Sequence, residues 1–410
     1  MEPLRAAVRG GDARAVHALL DAGADPETTE EHGTPVLCLA VDTFDLEVVE
    51  ALVTSARLDR VAPDGRTALL RAVDRGAHAI TEQLIAHGAA MWHTDAEGRD
   101  ALALARYWHE TGAVEVLRRR TGGRGPVGRR TVVSGEETVW EELSSGDAPT
   151  VRTGHGAILT DLEPRFGITV PFAELLSRAL AEPDVDHGVW WETTYVLQQR
   201  HDVGVWTAAA ALRARPDPRE RYFGAELLRL IHLLDESDEE VCDEPLTDLF
   251  LPWVAEETDP RVVRALTAGL AEARDPRAVG RLPALTAYPD ARVRQRAVGG
   301  LYGAVAEGAA DALAAVVERA ADAEAAVRRV ACTVLGAAPP AAEAASQALA
   351  ARLADADEGV RVEAAVRLAL RDDPRGDDVI AALDGSDAAA EGGPYHWLLY
   401  DVYRHRARVR

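Results

Sequence analysis

The histidines, cysteines and carboxylates are the residues of this sequence that could do chemistry, but their spacing matches no familiar catalytic or metal-binding motif. Twelve histidines are present, yet none falls in an HExxH motif, and no Cys-x-x-Cys pair occurs. A GxSxG nucleophile elbow is also absent. Two sets of polar side chains are close enough in sequence to converge, namely His87 with His93 and His109, and His155 with Asp161 and Glu163.

We expect the first of these sets to face water, and spacing alone gives the second set no mechanism. The sequence contains no lysine, which excludes Schiff-base chemistry and a phosphate loop that needs a lysine. The sequence therefore predicts no catalytic residue, no metal site and no cofactor, and an enzyme is not the favoured interpretation.

The cysteines and the apolar runs indicate the compartment. Cys38, Cys242 and Cys332 are widely spaced within apolar stretches, which is typical of buried thiols in a reducing environment. The chain does not begin with a basic segment followed by an apolar core, and no uncharged apolar run reaches about 18 residues. We therefore expect a cytoplasmic protein that does not enter a membrane.

The charge balance restricts the kind of partner. The chain has 68 acidic residues against 45 basic ones, a formal net charge of -23. A field of this sign repels phosphate backbones and attracts basic surfaces. The composition therefore argues against nucleic acid and favours a basic protein partner.

Two repeat patterns define the elements that must carry any site. In the first, segments beginning at Glu2, Thr34, Thr67 and Asp100 each open a helix at a period near 33 residues. A second apolar pair follows in each unit, and Gly23 and Gly88 then offer left-handed helix ends. This pattern resembles the ankyrin repeat over residues 1–120, and the resemblance implies four stacked helix pairs joined by turn-forming fingers.

The second pattern recurs from about residue 180 to about residue 385, and we expect the remaining residues to cap the last repeat. An acidic residue is followed by Val three positions later, Arg four positions later and Leu eleven positions later, which places Val and Leu on one helix face. The acidic positions are Asp186, Asp217, Asp259, Asp290, Glu324 and Asp357, and the leucines are Leu197, Leu228, Leu270, Leu301, Leu335 and Leu368. This phrase resembles the short bacterial HEAT-like repeat of the phycobilisome-lyase type, which implies about six helix pairs over residues 180–410.

The joint between the two patterns is the least regular part. Residues 118–130 are rich in glycine and arginine and cannot continue a helix, so they are the best linker. The rest of 121–179 has apolar residues without a helical period and stays unassigned. The overall prediction is an all-α tandem-repeat solenoid, with ankyrin repeats followed by an α/α HEAT-like superhelix, whose two arrays fold separately.

A solenoid of this kind typically binds macromolecules over an extended surface, so we predict a scaffold, adaptor or inhibitor for a protein partner. The candidate contacts are finger residues, one tryptophan expected to be exposed and an acidic insertion: Glu30, Glu31, His32, Asp64, Asp95, Glu97, Trp190, Glu239, Glu240, Asp243 and Glu244. Two alternatives stay open. One is an immunity-type protein that neutralises a basic toxin, and the other is an enzyme or biosynthetic accessory protein with a site in the 131–180 bridge or on the HEAT-like concave face.

Overall fold

The structure of the protein is a computed structural model that describes residues 3–123, 125–134, 138–146, 148–234, 243–273, 275–383, 385–386, 388–390 and 393–409. The described residues form 24 α-helices, two short 3-10 helices and one three-stranded sheet. The all-α prediction of repeated helix packing is therefore confirmed, with a small sheet added. The chain divides into two compact units, Met1–Arg200 and His201–Arg410.

The first unit begins with four helix pairs and continues through the sheet into three further helices. Its elements are α1 (Pro3–Arg9), α2 (Ala13–Asp21), α3 (Val36–Thr43), α4 (Leu46–Val53), α5 (Ala68–Arg75), α6 (His78–Ala86), α7 (Ala101–Thr111), α8 (Ala113–Arg120), β1 (Gly128–Ser134), β2 (Thr138–Ser145), β3 (Ala148–Arg152), α9 (His155–Arg165), α10 (Phe172–Leu180) and α11 (Gly188–Gln198). Helices α1, α3, α5 and α7 pack in succession, and α2, α4 and α6 form a second row.

Local signals explain where these helices start and stop. The Asp12 carboxylate caps α2 by accepting a hydrogen bond from the backbone of Ala15 at 2.9 Å, and Asp100 caps α7 at 2.8 Å. Gly23 and Gly88 adopt φ values of 89° and 93° after α2 and α6, as the sequence predicts for left-handed helix ends.

The unassigned segment 121–179 contains the sheet and two helices. Strands β1, β2 and β3 pair in order and antiparallel, with Val132 opposite Trp140 and Leu143 opposite Val151. Leu143 and Val151 are buried in the same apolar core as helices α1–α8, and Leu162 of α9 joins them. This segment is therefore part of the first unit's core.

The second unit consists of helices in regular succession. Its elements are α12 (Val203–Ala211), a 3-10 helix (Leu212–Ala214), α13 (Pro218–Leu233), α14 (Asp243–Glu256), α15 (Pro260–Glu272), α16 (Pro276–Leu285), α17 (Ala291–Gly300), α18 (Tyr302–Ala306), α19 (Ala310–Arg319), α20 (Ala325–Gly336), α21 (Glu343–Ala350), α22 (Glu358–Ala369), a 3-10 helix (Pro374–Gly376), α23 (Asp377–Leu383) and α24 (His396–Val409). Helices α13, α15, α17, α20 and α22 pack in succession as its inner row.

The repeating phrase of the second pattern has a structural cause at each position. The closing leucines, Leu197, Leu228, Leu270, Leu301, Leu335 and Leu368, are all buried. Asp217, Asp259, Asp290 and Asp357 stand at helix N-termini and accept backbone hydrogen bonds there. Glu324 stands at a helix start without a side-chain cap, and His187 rather than Asp186 caps α11.

The arginine of the phrase links neighbouring repeats. Arg328 donates to two carbonyl oxygens ahead of its own helix, those of Asp322 at 3.0 Å and Ala323 at 2.9 Å, and also to the Asp355 carboxylate of the following repeat at 2.7 and 2.9 Å. Arg294 makes the same set of contacts with Asp322 as its carboxylate partner. We call this repeated arrangement the arginine ladder.

The two cysteines that lie in the described part of the chain are buried, as the sequence predicts. Cys38 and Cys332 are buried in the first and second units, and burial raises the pKa of each thiol to about 12. Cys242 lies outside the described residues.

Candidate functional site

A buried histidine lies between two carboxylates in the first unit. Gly76 ends α5 in a left-handed conformation, and α6 begins two residues later at His78. Glu82 lies one helical turn beyond His78 and therefore shares its face. The distance between His78 Nδ1 and Glu82 Oε2 is 3.3 Å, and His78 is only 8% exposed.

The second carboxylate comes from α11, more than 100 residues further along the chain. His78 Nε2 is 3.3 Å from Oε2 of Glu192, which is almost fully buried. Helix α11 approaches the sheet closely at Gly188, where any Cβ would collide with the ring of Trp140. A bridge between Val139 and His187 also fixes the start of α11. The sheet thus positions Glu192 against the ankyrin helix α6.

A third carboxylate reaches the same cluster from α9. Asp161 Oδ1 accepts hydrogen bonds from Arg165 at 3.0 and 2.8 Å, whereas its buried Oδ2 has no hydrogen-bond partner among the described residues. Asp161 acts electrostatically on both His78 and Glu82. We call His78, Glu82, Asp161 and Glu192 the acid–histidine cluster.

The pKa values reflect an excess of negative charge in the cluster. Burial alone would lower the pKa of His78, but the nearby carboxylates of Glu192 and Glu82 outweigh it and raise that pKa. Partial burial raises the pKa of Glu82, and Glu192 and Asp161 add to the rise while His78 opposes it. Burial is thus the main cause of the higher pKa of Glu82, whereas the neighbouring carboxylates are the cause of the higher pKa of His78.

Two clefts make the cluster accessible. A cleft of about 750 Å³ is lined by His78 and Glu82 together with Phe44, Glu47, Trp140 and Trp191. We call it the Trp191 cleft. A second cleft of about 570 Å³ is lined by Asp161 and Glu192 together with Arg165, Tyr195 and Arg200. The cluster therefore forms part of the wall of both clefts, and small ligands can approach it from either.

The predicted finger residues have different environments. His32, Asp64 and Glu97 occupy equivalent tips of successive finger turns and are exposed, as is Glu31. Asp64 pairs with Arg71 at 2.7 Å and Glu97 pairs with Arg99 at 2.8 Å, so arginines of the same region neutralise these tips. Glu30 is half-buried and pairs with Arg9.

Asp95 does not fit the prediction of an exposed contact. It is buried, and its Oδ1 accepts backbone hydrogen bonds from Glu97 and Arg99 at 3.0 and 2.9 Å. Its Oδ2 accepts a hydrogen bond from the Arg99 guanidinium at 2.7 Å. Asp95 therefore closes the third finger turn and presents no free carboxylate.

The expectation that Trp190 is exposed is wrong. Trp190 is 3% exposed, and its indole nitrogen donates to the Glu182 carbonyl oxygen at 3.2 Å. The face of α11 that carries Trp190 is covered by other elements of the first unit, because α11 packs against α9, α10 and β2. One residue further along the helix, Trp191 is 49% exposed in the Trp191 cleft.

The acidic insertion is only partly described. Glu239 and Glu240 lie outside the described residues. Asp243 and Glu244 open α14, but their side chains are not among those described.

The two polar sets considered from sequence do not assemble into sites. Among the described residues, the group that could hold a metal is His78, Glu82 and Glu192, and it includes none of His87, His93 and His109. His155 stacks on Trp108 at 4.4 Å between ring centroids, and burial lowers the pKa of His155 to about 4.

Of the second set, Asp161 alone reaches the acid–histidine cluster, since Glu163 pairs instead with Arg178 at 2.9 Å. His78, Glu82 and Glu192 were not predicted from the sequence. The signal available was a histidine and a glutamate one turn apart at the start of a predicted helix, but that spacing could not indicate Glu192.

Comparisons with known proteins concern the N-terminal part of the first unit. Residues 4–95 and 37–122 match the family model of ankyrin repeats, in three copies. The N-terminal region therefore consists of ankyrin repeats, as predicted, and ankyrin repeats suggest a scaffold for protein–protein interaction.

Two individual proteins also show similarity to this chain. The transient receptor potential cation channel subfamily A member 1 homolog of Caenorhabditis elegans is 32% identical over 102 residues, which cover 25% of this chain and 8% of that relative. The chain thus matches less than a tenth of that relative's length. A crystal structure of the Escherichia coli protein YibA aligns with 16% identity and a TM-score of 0.44, covering 55% of this chain and 78% of that one. Within the described part of the chain, no helix combines the length and apolar character needed to cross a bilayer.

Proposed function

We propose that the first unit is a protein-binding scaffold that receives a basic side chain of its partner in the Trp191 cleft. The observation that carries this proposal is the exposure of Trp191, a large aromatic side chain, in a cleft that also contains the exposed carboxylate of Glu47. Exposed tryptophans in clefts are favoured anchors of protein interfaces. The ankyrin repeats support a protein-binding function, and the Trp191 cleft is the place on the first unit where we propose that the partner binds.

The chemistry of the cleft suits a cation. The Trp191 ring stacks on the Tyr195 ring with 5.8 Å between centroids, and this contact helps to fix the orientation of Trp191. The cleft already contains one cation–π contact, because the Arg152 guanidinium lies 4.3 Å from the centre of the Phe44 ring. In this cleft, a guanidinium or ammonium group of a partner could form a cation–π contact with Trp191 and an ion pair with Glu47.

The net charge of -23 favours the same kind of partner at longer range. An acidic surface accelerates the association of a basic protein, and this acceleration declines as salt rises. An adaptor for a basic protein and an inhibitor that neutralises one are two forms of this function.

We also propose that residues from about 180 onward form an array of HEAT-like repeats, most of which lie in the second unit. Its support is the arginine ladder, in which Arg294 and Arg328, each four residues after an acidic position, make the same contacts in successive repeats. A repeated inter-repeat contact of this kind is what a solenoid of equivalent units requires.

The test compares two exposed tryptophans. Trp191 lies in the cleft, whereas Trp92 is 73% exposed in the third finger region. A fluorescein-labelled peptide of alternating arginine and glycine is titrated with the full chain and followed by fluorescence anisotropy. We expect Trp191→Ala to weaken binding about 5- to 10-fold, since it removes the aromatic face, and Trp92→Ala to leave binding unchanged. Glu47→Gln should weaken it about 2-fold, and Glu50→Gln, an exposed residue of the same helix, should change it less.

Unchanged affinity in Trp191→Ala would mean that the peptide is held by general charge attraction, and the cleft would be rejected as the site. Loss of affinity in Trp92→Ala alone would place the contact on the finger turns that the sequence analysis had favoured. The same pair of variants, used as baits in native lysate, then tests a natural partner, which should be captured by Trp92→Ala and lost from Trp191→Ala.

A further inference from the structure

We propose that His78, Glu82 and Glu192 form a binding site for a divalent first-row transition metal, with Zn²⁺ as the ion that best fits the donors. Each of the three residues offers one ligand atom, and these atoms lie within 4.8 Å of one another. One imidazole nitrogen and two carboxylate oxygens are a donor set that zinc accepts in proteins. This proposal does not depend on partner binding in the Trp191 cleft.

The spacing of the donors is close to what a metal requires. With metal–ligand bonds of about 2.0–2.1 Å, the ligand atoms of a tetrahedral zinc site lie about 3.4 Å apart. His78 Nε2 and Glu192 Oε2 are 3.3 Å apart, so these two need almost no movement. Glu82 Oε2 lies beside Nδ1, the other ring nitrogen, at 3.3 Å, so its half-exposed side chain must rotate to reach an ion held at Nε2.

Unsatisfied polar atoms give an independent indication. His78 Nε2 is buried without a hydrogen bond of good geometry, even though Glu192 lies beside it. Asp161, which lines the second cleft together with Glu192, also has a buried Oδ2 without a hydrogen-bond partner among the described residues. Buried polar atoms without partners are uncommon and need an explanation. A cation bound at His78 Nε2 would supply one for the imidazole and would attract the free Asp161 oxygen.

The charges of the cluster also fit a dication. Glu82, Asp161 and Glu192 bring three carboxylates together, and Arg165 is the arginine that pairs with Asp161. A Zn²⁺ ion with a neutral imidazole, together with Arg165, balances these three negative charges. The imidazole donor disfavours Mg²⁺ and Ca²⁺, which prefer oxygen ligands.

The competing account is a protonated His78 that bridges Glu82 and Glu192 as a plain ion pair, with no metal. The two accounts differ in a direct measurement. The full-length chain, with any affinity tag removed and after dialysis against chelator, is titrated with Zn²⁺ by isothermal calorimetry. Co²⁺ is then substituted to record the visible absorption of a bound ion. We expect one zinc per chain, and a Co²⁺ spectrum that the wild-type protein shows and the site variants lose.

Matched variants assign the binding to the cluster. Glu192→Gln and His78→Gln should each lower zinc affinity at least ~10-fold, because each removes a ligand. His17→Gln and Glu50→Gln change exposed residues of the same unit and should leave zinc affinity unchanged. Glu82→Gln guards against misfolding of the buried variants, since its half-exposed side chain can be replaced without disturbing the core, and it too should weaken binding.

The proposal is overturned if the wild-type chain binds zinc no more tightly than His78→Gln, or if Glu82→Gln and Glu192→Gln, folded by circular dichroism, retain wild-type affinity. Zinc should also raise the thermal midpoint of the wild-type protein and of His17→Gln, but not that of Glu192→Gln. An equal rise in all of them would mean scattered surface binding and would reject the site.

Discussion

Replacing Arg328 with methionine tests whether the arginine ladder holds the second unit together. The Arg328 guanidinium donates to the Asp355 carboxylate at 2.7 and 2.9 Å and to the carbonyl oxygens of Asp322 and Ala323. Methionine keeps most of the apolar stem but removes all four hydrogen bonds. Among the described residues, the buried Asp355 carboxylate would then keep Arg352, 3.2 Å away, as its charged partner.

The magnitude follows from the burial of the pair. Breaking a fully buried ion pair by removing one partner costs about 3–5 kcal/mol. The side chain of Arg328 is 13% exposed and Arg352 remains, so we expect a smaller loss, about 2–3 kcal/mol of the unfolding free energy. For a unit of roughly 200 residues, this corresponds to a fall of about 5–10 °C in the thermal midpoint.

The matched control is the next residue on the same helix. The Arg329 side chain is 50% exposed and is 4.0 Å from Glu363, so Arg329→Met should cost less than about 0.5 kcal/mol. Calorimetry of the full chain gives the midpoints, and hydrogen exchange of peptides from α20 and α22 shows whether the loss is local. Equal destabilisation by both variants, or unchanged exchange of α20 and α22 in Arg328→Met, would refute the ladder as a source of stability.

Three further predictions follow from individual residues. Gly76→Ala should destabilise the first unit by several kcal/mol, because φ is 66° and a Cβ would collide with the backbone of β3. Gly88 has φ 93° and open space around it, so Gly88→Ala should cost about 1 kcal/mol, and thermal melts compare the two variants. Hydrogen bonds from arginine hold the pKa of Asp355 below its usual value, so the contribution of Asp355 to stability is present near neutrality and is lost as the pH falls below about 4. In urea unfolding, the free energy of unfolding should therefore fall less steeply with acid in Asp355→Asn than in the wild-type protein. Cys38 and Cys332 should resist iodoacetamide in the native protein and react after unfolding, because burial raises their thiol pKa to about 12, and peptide mass spectrometry checks this.

The features that could be predicted from sequence are those with a local cause. An aspartate at a helix start caps the next backbone amides wherever it occurs, so Asp217 and Asp290 could be placed without knowledge of the fold. The leucines eleven residues later fall on the same helix face, and all six are buried. The arginine four positions after an acidic residue, as at Arg294 and Arg328, was visible in the pattern, but its role was not, because its carboxylate partner belongs to the next repeat.

The features that were missed depend on contacts between distant segments. The strands are short and carry facing charges, such as Arg130 opposite Glu142, and the segment shows no clear apolar alternation. Trp190 and Trp191 could not be distinguished, because one residue turns a helix by about 100° and only the packing of α11 decides which ring is covered. His78 and Glu192 meet because the sheet and α11 return to the ankyrin helices, and no spacing in the sequence encodes that return.

The metal site and the Trp191 cleft are physically connected, since His78 and Glu82 line the cleft and Glu192 follows Trp191 on α11. A dication at the cluster would add positive charge to the wall that a partner's basic side chain approaches. At a separation of about 10 Å, this repulsion is on the order of 1 kcal/mol per unit charge. Because coupling between two ligands is reciprocal, a basic partner would weaken zinc binding by the same factor by which zinc weakens the partner. Peptide titrations in chelator and in saturating zinc therefore measure the same coupling free energy as zinc titrations with and without peptide.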